Sequence, residues 1–434
     1  MGERGTGRIG AQLRAFAGAK WPDYNPMMRT NSQENFAFQI VQRLQQAGHV
    51  AYWAGGCVRD RLMGGTPKDF DVATSARPEE VLTLFPRGQK VGVAFGVILV
   101  REKKLQVEIA TFRADGDYSD GRHPDSVRFT NAEEDAKRRD FTCNALFLDP
   151  TTSQLHDFVG GQRDIEAKIL RAVGNPHARF AEDHLRMLRA VRFAARLSFT
   201  IDADTRLAIE ELQKKIEGIS RERIGEELRM MLEHPTRVAA LDLLASFPGM
   251  FSAALGITAN PLAAERDWPV VSGLPAEASR ALVLIAMLLD MEVAEFAETI
   301  ATLRSRLMLS NDETDVMTWL SGKLPALEDW EDLSKATMKR MMADRWWRDL
   351  DALYRADPAN ADVLLAFGER VAMLQDEGVS PPPFVTGDVL IKLGVAPGPA
   401  FKGWLDALYD RQLNGEFSRK EDAVEAARKL LQGN

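Results

Sequence analysis

Two aspartates separated by a single residue carry the clearest chemical information in the chain. Asp69 and Asp71 flank Phe70 in the run Asp-Phe-Asp-Val-Ala. Because alternate residues of a strand point to the same face, we expect both carboxylates to project together. Two neighbouring carboxylates repel each other unless a hard cation such as Mg²⁺ neutralises them. The spacing therefore predicts a magnesium site held by Asp69 and Asp71.

A glycine pair lies shortly before these aspartates. Gly55 and Gly56 follow an apolar run, residues 50–54, and Arg59 comes three residues later. Glycines at the end of a strand let backbone N–H groups approach a phosphate closely. A lone Gly-Gly is usually a plain turn, and a lone Asp-x-Asp is usually an exposed strand. Together they favour a site for phosphoryl or nucleotidyl transfer.

Further polar residues occur at the ends of predicted strands. Glu108, in an alternating run over 105–112, is a candidate third carboxylate that acts as general base or metal ligand. The alternative is an exposed glutamate of a sheet. Arg138 and Arg139 stand at the entry of an apolar run over 141–148 that reads as a strand. Two arginines there favour bidentate binding of a triphosphate, and Asp140 is a candidate acceptor for a ribose hydroxyl.

An acidic and a basic residue three positions apart occur in the predicted helix 181–197. Asp183 and Arg186 would be neighbours on one helix face. Such a pair presents an acceptor beside several donors, which suits the Watson–Crick edge of cytosine or adenine. An ordinary i,i+3 ion pair is the alternative. Arg189 and Arg192 continue a basic stripe on the same helix, which either faces RNA phosphates or is simply exposed.

Composition limits the classes of protein that fit. The 434 residues carry a net charge of −8, yet the stretch 137–196 has eleven basic and seven acidic residues, a local excess of +4. A local basic region is compatible with nucleic acid despite the acidic total. No apolar run approaches the ~20 residues of a membrane helix, so no membrane contact is expected. With two cysteines a disulfide framework is not expected, and a reducing cytoplasm is the predicted compartment.

The order of elements predicts an α+β region followed by helices. Alternating apolar runs and a first helix over 34–47 indicate a small single-sheet head. After about residue 165 the periodicity becomes helical, with helices predicted at 181–197, 203–217, 222–233 and 237–247. The run Ser-Pro-Pro-Pro at 380–383 is a stiff break before a small terminal unit.

Five motifs in order resemble the family of class II tRNA nucleotidyltransferases and bacterial poly(A) polymerases. They are Gly-Gly-x-Val-Arg-Asp with Asp-x-Asp at 55–71, Arg-Arg-Asp-Phe-Thr-x-Asn-Ala at 138–145, Asp-x-x-Gly-Gly-x-x-Asp at 157–164, Glu-Asp-x-x-Arg at 182–186 and Arg-x-x-x-Glu at 223–227. The resemblance covers residues 50–230. It implies that the glycine-punctuated stretch 113–124, which contains Arg122 and His123, is the family's flexible loop.

The resemblance implies a fold and a domain order. It implies a polymerase-β-like nucleotidyltransferase head, a small mixed sheet with helices, followed by an all-helical neck, body and tail. The expected boundaries are an N-terminal extension at 1–29, the catalytic head at 30–165, the base-recognising neck at 166–236, the body at 237–378 and the tRNA-binding tail at 379–434.

The resemblance also implies an activity, namely template-independent addition of CCA to the 3′ end of tRNA from CTP and ATP with Mg²⁺. The catalytic residues would be Asp69, Asp71 and Glu108, and the implied nucleotide-binding residues are Gly55, Gly56, Arg59, Arg138, Arg139, Asp140, Asn144, Asp183, Arg186, Arg189 and Arg192. The state would be a monomer or homodimer. Poly(A) synthesis or addition of only CC or only A remains open, although the stretch Gly92–Val97 lacks the basic run usual in poly(A) polymerases. A non-catalytic RNA-binding protein is a third alternative.

Overall fold

A computed structural model of the chain describes residues 32–91, 96–116, 126–257 and 267–432. The predicted N-terminal extension, the stretch 92–95 and most of the predicted flexible loop, including Arg122 and His123, lie outside these ranges. The chain divides into two compact units. The first runs to Arg223 and includes Phe247–Ala253, and the second comprises Ile224–Ser246 and everything from Ala254 onward.

Seven strands of the first unit form one mixed sheet in the order β3-β4-β5-β2-β1-β8-β9. Strands β2 and β5 are parallel, and every other neighbouring pair is antiparallel. Two small two-stranded sheets pair β6 with β7 and β10 with β11. The strands are β1 Ala51–Ala54, β2 Asp71–Thr74, β3 Gln89–Lys90, β4 Val97–Glu102, β5 Leu105–Thr111, β6 Arg113–Asp115, β7 Val127–Phe129, β8 Leu146–Asp149, β9 Gln154–Asp157, β10 Ile169–Leu170 and β11 Thr200–Ile201.

Helices follow the strands of the first unit and dominate its C-terminal part. The first helix buries Phe36, Ile40 and Leu44 at intervals of four, which is the apolar stripe of a helix that packs on one face. The helices are α1 Ser32–Gln46, α2 Gly56–Leu62, α3 Pro78–Leu84, α4 Ala132–Lys137, α5 Gly161–Glu166, α6 Pro176–Glu182, α7 Leu185–Leu197 and α8 Ala203–Leu212.

The chain from Arg221 onward contains helices and no described strand. The core of the second unit includes α13, in which every residue from Ala281 to Leu288 is buried. The helices are α9 Arg221–Leu232, α10 Arg237–Ala245, α11 Pro248–Leu255, α12 Pro269–Gly273, α13 Arg280–Asp290, α14 Phe296–Leu307, α15 Asn311–Glu328, α16 Lys335–Met342, α17 Trp347–Ala356, α18 Leu364–Asp376, α19 Gly387–Lys392, α20 Pro399–Leu413 and α21 Lys420–Gln432. A mixed-sheet head followed by helices confirms the predicted fold class.

The segment after the predicted proline break has a hydrophobic cluster of its own. Val385, Leu390 and Leu408 are buried there with Phe417, Ala423 and Ala427. The break itself is tied to α20, since the Tyr409 hydroxyl donates to the Pro381 carbonyl at 2.9 Å. Among the described residues no single helix combines the length and apolar composition of a membrane span. The short helices α10 and α11 meet that criterion only when taken together.

The predicted continuous helix over 181–197 is wrong at one point, because α6 ends at Glu182 and α7 begins at Leu185. Asp183 is extended, with φ −153° and ψ 104°. Its carboxylate accepts a hydrogen bond from the Leu185 backbone N–H at 3.1 Å, which satisfies a free donor at the start of α7. Asp183 and Arg186 therefore do not occupy successive turns of one helix.

The predicted strand over 141–148 is also wrong in its first half. Residues Thr142–Asn144 form a 3₁₀ turn, and β8 begins only at Leu146. The Thr142 hydroxyl donates to the Asp164 carboxylate at 2.7 Å, so a buried side-chain bond holds the turn in place of a strand ladder. Arg138 and Arg139 accordingly follow the end of a helix, α4, and not the entry of a strand. Asp69, similarly, lies just before β2 and not within it.

Candidate active site

The register of the sheet brings two predicted carboxylates side by side. Asp71 at the start of β2 is paired in register with Glu108 on the parallel neighbour β5. Desolvation raises the pKa of Asp71 to about 6, with further contributions from the carboxylates of Glu108 and Asp69, although Arg139 opposes the shift. A raised carboxyl pKa beside other carboxylates means that negative charge accumulates here without a matching cation.

The predicted phosphate-binding turn connects β1 to α2. Gly55 has a φ of +72°, and a Cβ at this position would lie 3.0 Å from Nη1 of Arg139. The positive φ therefore favours glycine at this position, and the guanidinium leaves little room for a larger residue. Arg59, one turn into α2, is buried and donates to the Asn144 side-chain oxygen at 2.5 Å and to Asp60. Arg59 and Asn144 thus fix the turn against the segment that precedes β8.

A buried aspartate orients the two predicted triphosphate arginines. Asp135 accepts hydrogen bonds from Nε of Arg138 at 2.9 Å and from Nε of Arg139 at 3.1 Å. Although burial favours its neutral form, the two guanidinium groups hold the pKa of Asp135 below its usual range. Arg139 also donates to the Asn144 carbonyl at 3.0 Å and lies 4.9 Å from the ring centre of Phe147. Both arginines are therefore held in place before any ligand arrives.

Asp140 is held as a carboxylate by a neighbouring helix. Arg189 of α7 donates to one of its oxygens twice, at 2.6 and 3.0 Å. The other oxygen accepts from the Phe141 backbone and from the Asn144 amide. Burial opposes ionisation, but the Arg189 charge and these hydrogen bonds lower the pKa of Asp140 to about 2. The predicted ribose acceptor is therefore ionised and already accepts four hydrogen bonds, two of them from Arg189.

Asp183 and Arg186 each have a different partner. Oδ2 of Asp183 accepts from Nη2 of Arg223 at 2.7 Å, a contact that spans 40 residues of sequence. Arg186 donates to the Glu182 carboxylate and, at 2.8 Å, to the carbonyl of Arg179. The i,i+3 ion pair that was the alternative interpretation is not what holds these side chains. Arg223, the arginine of the Arg-x-x-x-Glu motif, therefore supports Asp183.

A cavity of about 590 Å³ collects most of the predicted site residues. Asp69 and Glu108 are not among those that line it. Phe193 was missed by the sequence analysis, yet the guanidinium groups of Arg59, Arg189 and Arg192 lie 5.4, 5.2 and 4.3 Å from its ring centre. No sequence signal singled it out, because an aromatic on a helix is usually core. The lining residues are Gly55, Gly56, Arg59, Asp71, Arg138, Arg139, Asp140, Asn144, Asp183, Leu185, Arg186, Arg189, Arg192, Phe193, Arg196 and Arg223.

These features define a class of enzyme before any comparison is made. Acidic residues on a small mixed sheet, a glycine turn and a cavity lined by arginines are the parts of a nucleotidyltransferase. The comparisons name its family. Residues 51–171 match the family described as Poly A polymerase head domain, and residues 198–248 match the one described as Probable RNA and SrmB-binding site of polymerase A.

Relatives agree over nearly the whole chain. The CCA-adding enzyme of Geobacillus stearothermophilus is 35% identical over 398 residues, which cover 90% of this chain and 95% of the relative. That of Oceanobacillus iheyensis is 45% identical over 198 residues, 45% of this chain and 49% of the relative. The chain belongs to the CCA-adding enzyme family of tRNA nucleotidyltransferases, which confirms the resemblance stated above. Such enzymes generally depend on a divalent metal ion.

Solved structures agree as well. The crystal structure of the Bacillus stearothermophilus CCA-adding enzyme in complex with CTP matches with a TM-score of 0.77 and 29% identity, over 93% of this chain and 100% of the other. The Thermotoga maritima CCA-adding enzyme complexed with tRNA matches with a TM-score of 0.70 over 93% of this chain and 97% of the other. At 21% identity the latter supports the fold alone.

Proposed function

We propose that this protein adds cytidine, cytidine and adenosine in turn to the 3′ end of tRNA, using CTP and ATP and releasing pyrophosphate. The observation that carries the proposal is the single cavity that holds Asp71, the triphosphate arginines and the pair Asp183 and Arg186. A cavity of about 590 Å³ has room for a nucleoside triphosphate. The Bacillus stearothermophilus CCA-adding enzyme was crystallised with CTP, and the Geobacillus stearothermophilus relative is named for CCA addition, which supports the same activity here.

Asp69 and Asp71 are the residues that would hold Mg²⁺. Carboxylate oxygens are its preferred ligands, and the raised pKa of Asp71 marks a place where a cation would relieve repulsion. In the described part of the chain no three acidic, His or Cys side chains converge on one ion. Mg²⁺ typically uses one or two carboxylates and completes its shell with substrate phosphates and water. Bound there, it would supply charge stabilisation at the α-phosphate and the leaving pyrophosphate.

The chain's own residues bind and align the nucleotide. Backbone N–H groups of the turn at Gly55 and Gly56 and the guanidinium groups of Arg138 and Arg139 would bind the triphosphate. Glu108 would accept the proton of the attacking 3′-hydroxyl or assist in holding the metal. Because the arginines are already fixed by Asp135, little side-chain freedom is lost when the triphosphate binds.

Base selection is assigned to Asp183 and Arg186. Asp183 would accept the exocyclic amine of cytosine or adenine, and Arg186 would donate to a ring nitrogen or carbonyl. Guanine and uracil present the opposite pattern at those positions. Arg189 and Arg192 also line the cavity and would bind the ribose and phosphate groups of the nucleotide. Arg189 is held by Asp140, and Arg192 lies over the ring of Phe193. Asp183 and Arg186 thereby replace a nucleic-acid template.

Two other activities of the same family would give a different RNA product. Poly(A) synthesis, or addition of only CC or only A, would use the same head. The absence of basic residues from Gly92–Val97 favours the tRNA enzyme. A non-catalytic RNA-binding protein would gain nothing from the repelling carboxylates of Asp71 and Glu108.

The experiment uses purified protein, Mg²⁺ and tRNA transcripts that end at the discriminator base, at C or at CC. CTP and ATP are supplied singly and together, and products are resolved to one nucleotide. Growth by three nucleotides that then stops supports the proposal, and Asp71→Ala should abolish it. Long A tails on unrelated RNA would establish poly(A) synthesis, arrest after CC or after A would establish partial addition, and no extension would favour RNA binding alone.

The proposal also includes the domain boundaries, the cellular compartment and the oligomeric state. We keep the division into head at 30–165, neck at 166–236, body at 237–378 and tail at 379–434, with the tail as a tRNA-binding element. Both cysteines are buried and unpaired, which suits a reducing cytoplasm. Size-exclusion chromatography with light scattering would distinguish a monomer from a homodimer.

A further inference from the structure

Arg179, on the short helix α6, donates to more acceptors than an ordinary surface arginine. Its guanidinium donates to the carbonyls of Lys137 at 2.6 Å, Arg138 at 3.0 Å and Val173 at 3.3 Å. It also donates to the Glu182 carboxylate at 2.8 Å. Its side chain is only 13% exposed, so these bonds form largely out of water. Removing it would leave several shielded acceptors without a partner, which is costly.

Two of the three carbonyls precede Asp140 in the chain, and the third belongs to a segment that is hydrogen-bonded to Asp140. Lys137 ends α4 and Arg138 follows it, so their carbonyls are among those a helix leaves free at its C-terminus. A cation at this end is also favoured by the helix dipole. The third carbonyl is that of Val173, whose N–H donates to the Asp140 carbonyl at 3.1 Å. Arg179 therefore braces the segment that carries Arg138, Arg139 and Asp140.

Arg186 donates to two of the acceptors that Arg179 contacts. It donates to the Glu182 carboxylate and the Arg138 carbonyl, both of which Arg179 also contacts, and to the carbonyl of Arg179 itself. The side chain of Arg186 is 11% exposed. Arg186, the proposed base-reading residue, is therefore joined to the backbone of Arg138 through the guanidinium of Arg179 and the carboxylate of Glu182.

We propose that Arg179 is a positioning residue that couples base reading to triphosphate binding. It does not line the cavity and touches no reacting atom. Its fork of donors fixes Arg186 relative to the Arg138–Asp140 segment, so a base that fails to pair with Arg186 also misaligns the triphosphate. This inference rests on the proposed function, because it assumes that Arg186 reads the base.

Arg179→Gln and Arg179→Lys test the coupling, with His177→Gln as control. His177 lies on the same helix, and its Nε2 is 2.8 Å from the exposed Glu211. We expect Arg179→Gln to raise KM for CTP and ATP about tenfold and to lower the preference for CTP over UTP by a similar factor. Arg179→Lys keeps the charge but has one nitrogen, so we expect it to resemble the glutamine variant. The control should match the wild type.

Two results would overturn the coupling. One is an Arg179→Gln enzyme that loses kcat and melting temperature but selects CTP over UTP as well as the wild type, because that pattern indicates a purely structural role. The other is full recovery by lysine, which would show that charge alone suffices.

Equilibrium binding of CTP and UTP, measured by calorimetry without tRNA, separates this inference from the proposed function. If the wild type fails to add CCA, the proposed function is wrong. A wild type that binds CTP more tightly than UTP, together with a glutamine variant that does not, would still support the coupling. Equal preference in the two proteins would contradict it.

Discussion

Asp71 and Asp140 line the same cavity, yet their pKa values shift in opposite directions. Asp71 belongs to the carboxylate end of the site, which also includes Asp69 and Glu108, and its pKa rises to about 6. Asp140 belongs to the ion-paired end, which also includes Asp183, and its pKa falls to about 2 because Arg189 pairs with it. The carboxylate end lacks the positive charge that it needs, whereas the ion-paired end already contains it. The difference fits the proposal that a cation completes the first end, whereas ion pairs within the fold already organise the second.

The largest effect is expected from Asp71→Asn. Loss of one of the two carboxylates proposed to bind Mg²⁺ should lower the rate of nucleotide addition on the order of 10³-fold. Because the raised pKa marks an unfavourable charge, the variant without metal should melt at or above the wild-type temperature at pH 8. Single-turnover extension and thermal melting measure the two quantities. Glu79→Gln on the exposed part of α3 is the control, and a destabilised Asp71→Asn protein would contradict this account of the carboxylate end.

Asp183→Asn should change selectivity more than rate. The asparagine presents a donor as well as an acceptor, so discrimination against UTP and GTP should fall roughly a hundredfold, the range of one lost bidentate base contact. Competition between CTP and UTP on a transcript that ends at the discriminator base measures it. Arg223→Lys, which disturbs the partner of Asp183, should produce a smaller loss in the same direction. Selectivity that survives the asparagine would rule out Asp183 as the base-reading residue.

Asp140→Asn should lower stability at neutral pH. The fold holds the pKa of Asp140 at about 2, below the unfolded value of about 3.9, so its contribution is complete above pH 4 and is lost as pH falls through 2. The variant should lose about 2 kcal/mol at pH 7 and less at pH 3. Urea denaturation at both pH values measures this. The exposed Asp204→Asn is the control, and an equal loss at the two pH values would show that the ion pair with Arg189 is not the cause.

The smallest expected effect is a change in the pKa of Asp71 in the Glu108→Gln variant. Removing a negative neighbour favours the charged form of Asp71, so the Asp71 pKa in protein without metal should fall below about 6 toward its usual range. An NMR titration of the Asp71 carboxyl carbon follows the shift. Desolvation, the largest cause of the shift, remains in the variant, so the fall should be partial. An unchanged Asp71 pKa would mean that desolvation alone accounts for the shift.

Elements that depend on local residue types could be predicted from the sequence. Residue types and their spacing predict the strand before Gly55 and the helices after residue 165. They also show that Asp71 follows Gly55 closely in the sequence. The prediction over 181–197 was wrong because Asp183 is extended and its carboxylate accepts from the Leu185 N–H at the start of α7, an interaction that periodicity does not detect. The strand predicted at 141–148 was wrong because the buried bond from Thr142 to Asp164 favours a turn there.

The sequence by itself determined the chemical groups of the site and the family to which they belong. Motifs do so because glycine, carboxylate and guanidinium groups at fixed spacings have few other uses. Only the tertiary structure decided which groups meet. It paired Asp183 with Arg223 across 40 residues, placed Glu108 beside Asp71 through a parallel strand register, and joined Arg179 to the backbone of Arg138. Such contacts depend on how distant segments pack, which local sequence does not specify.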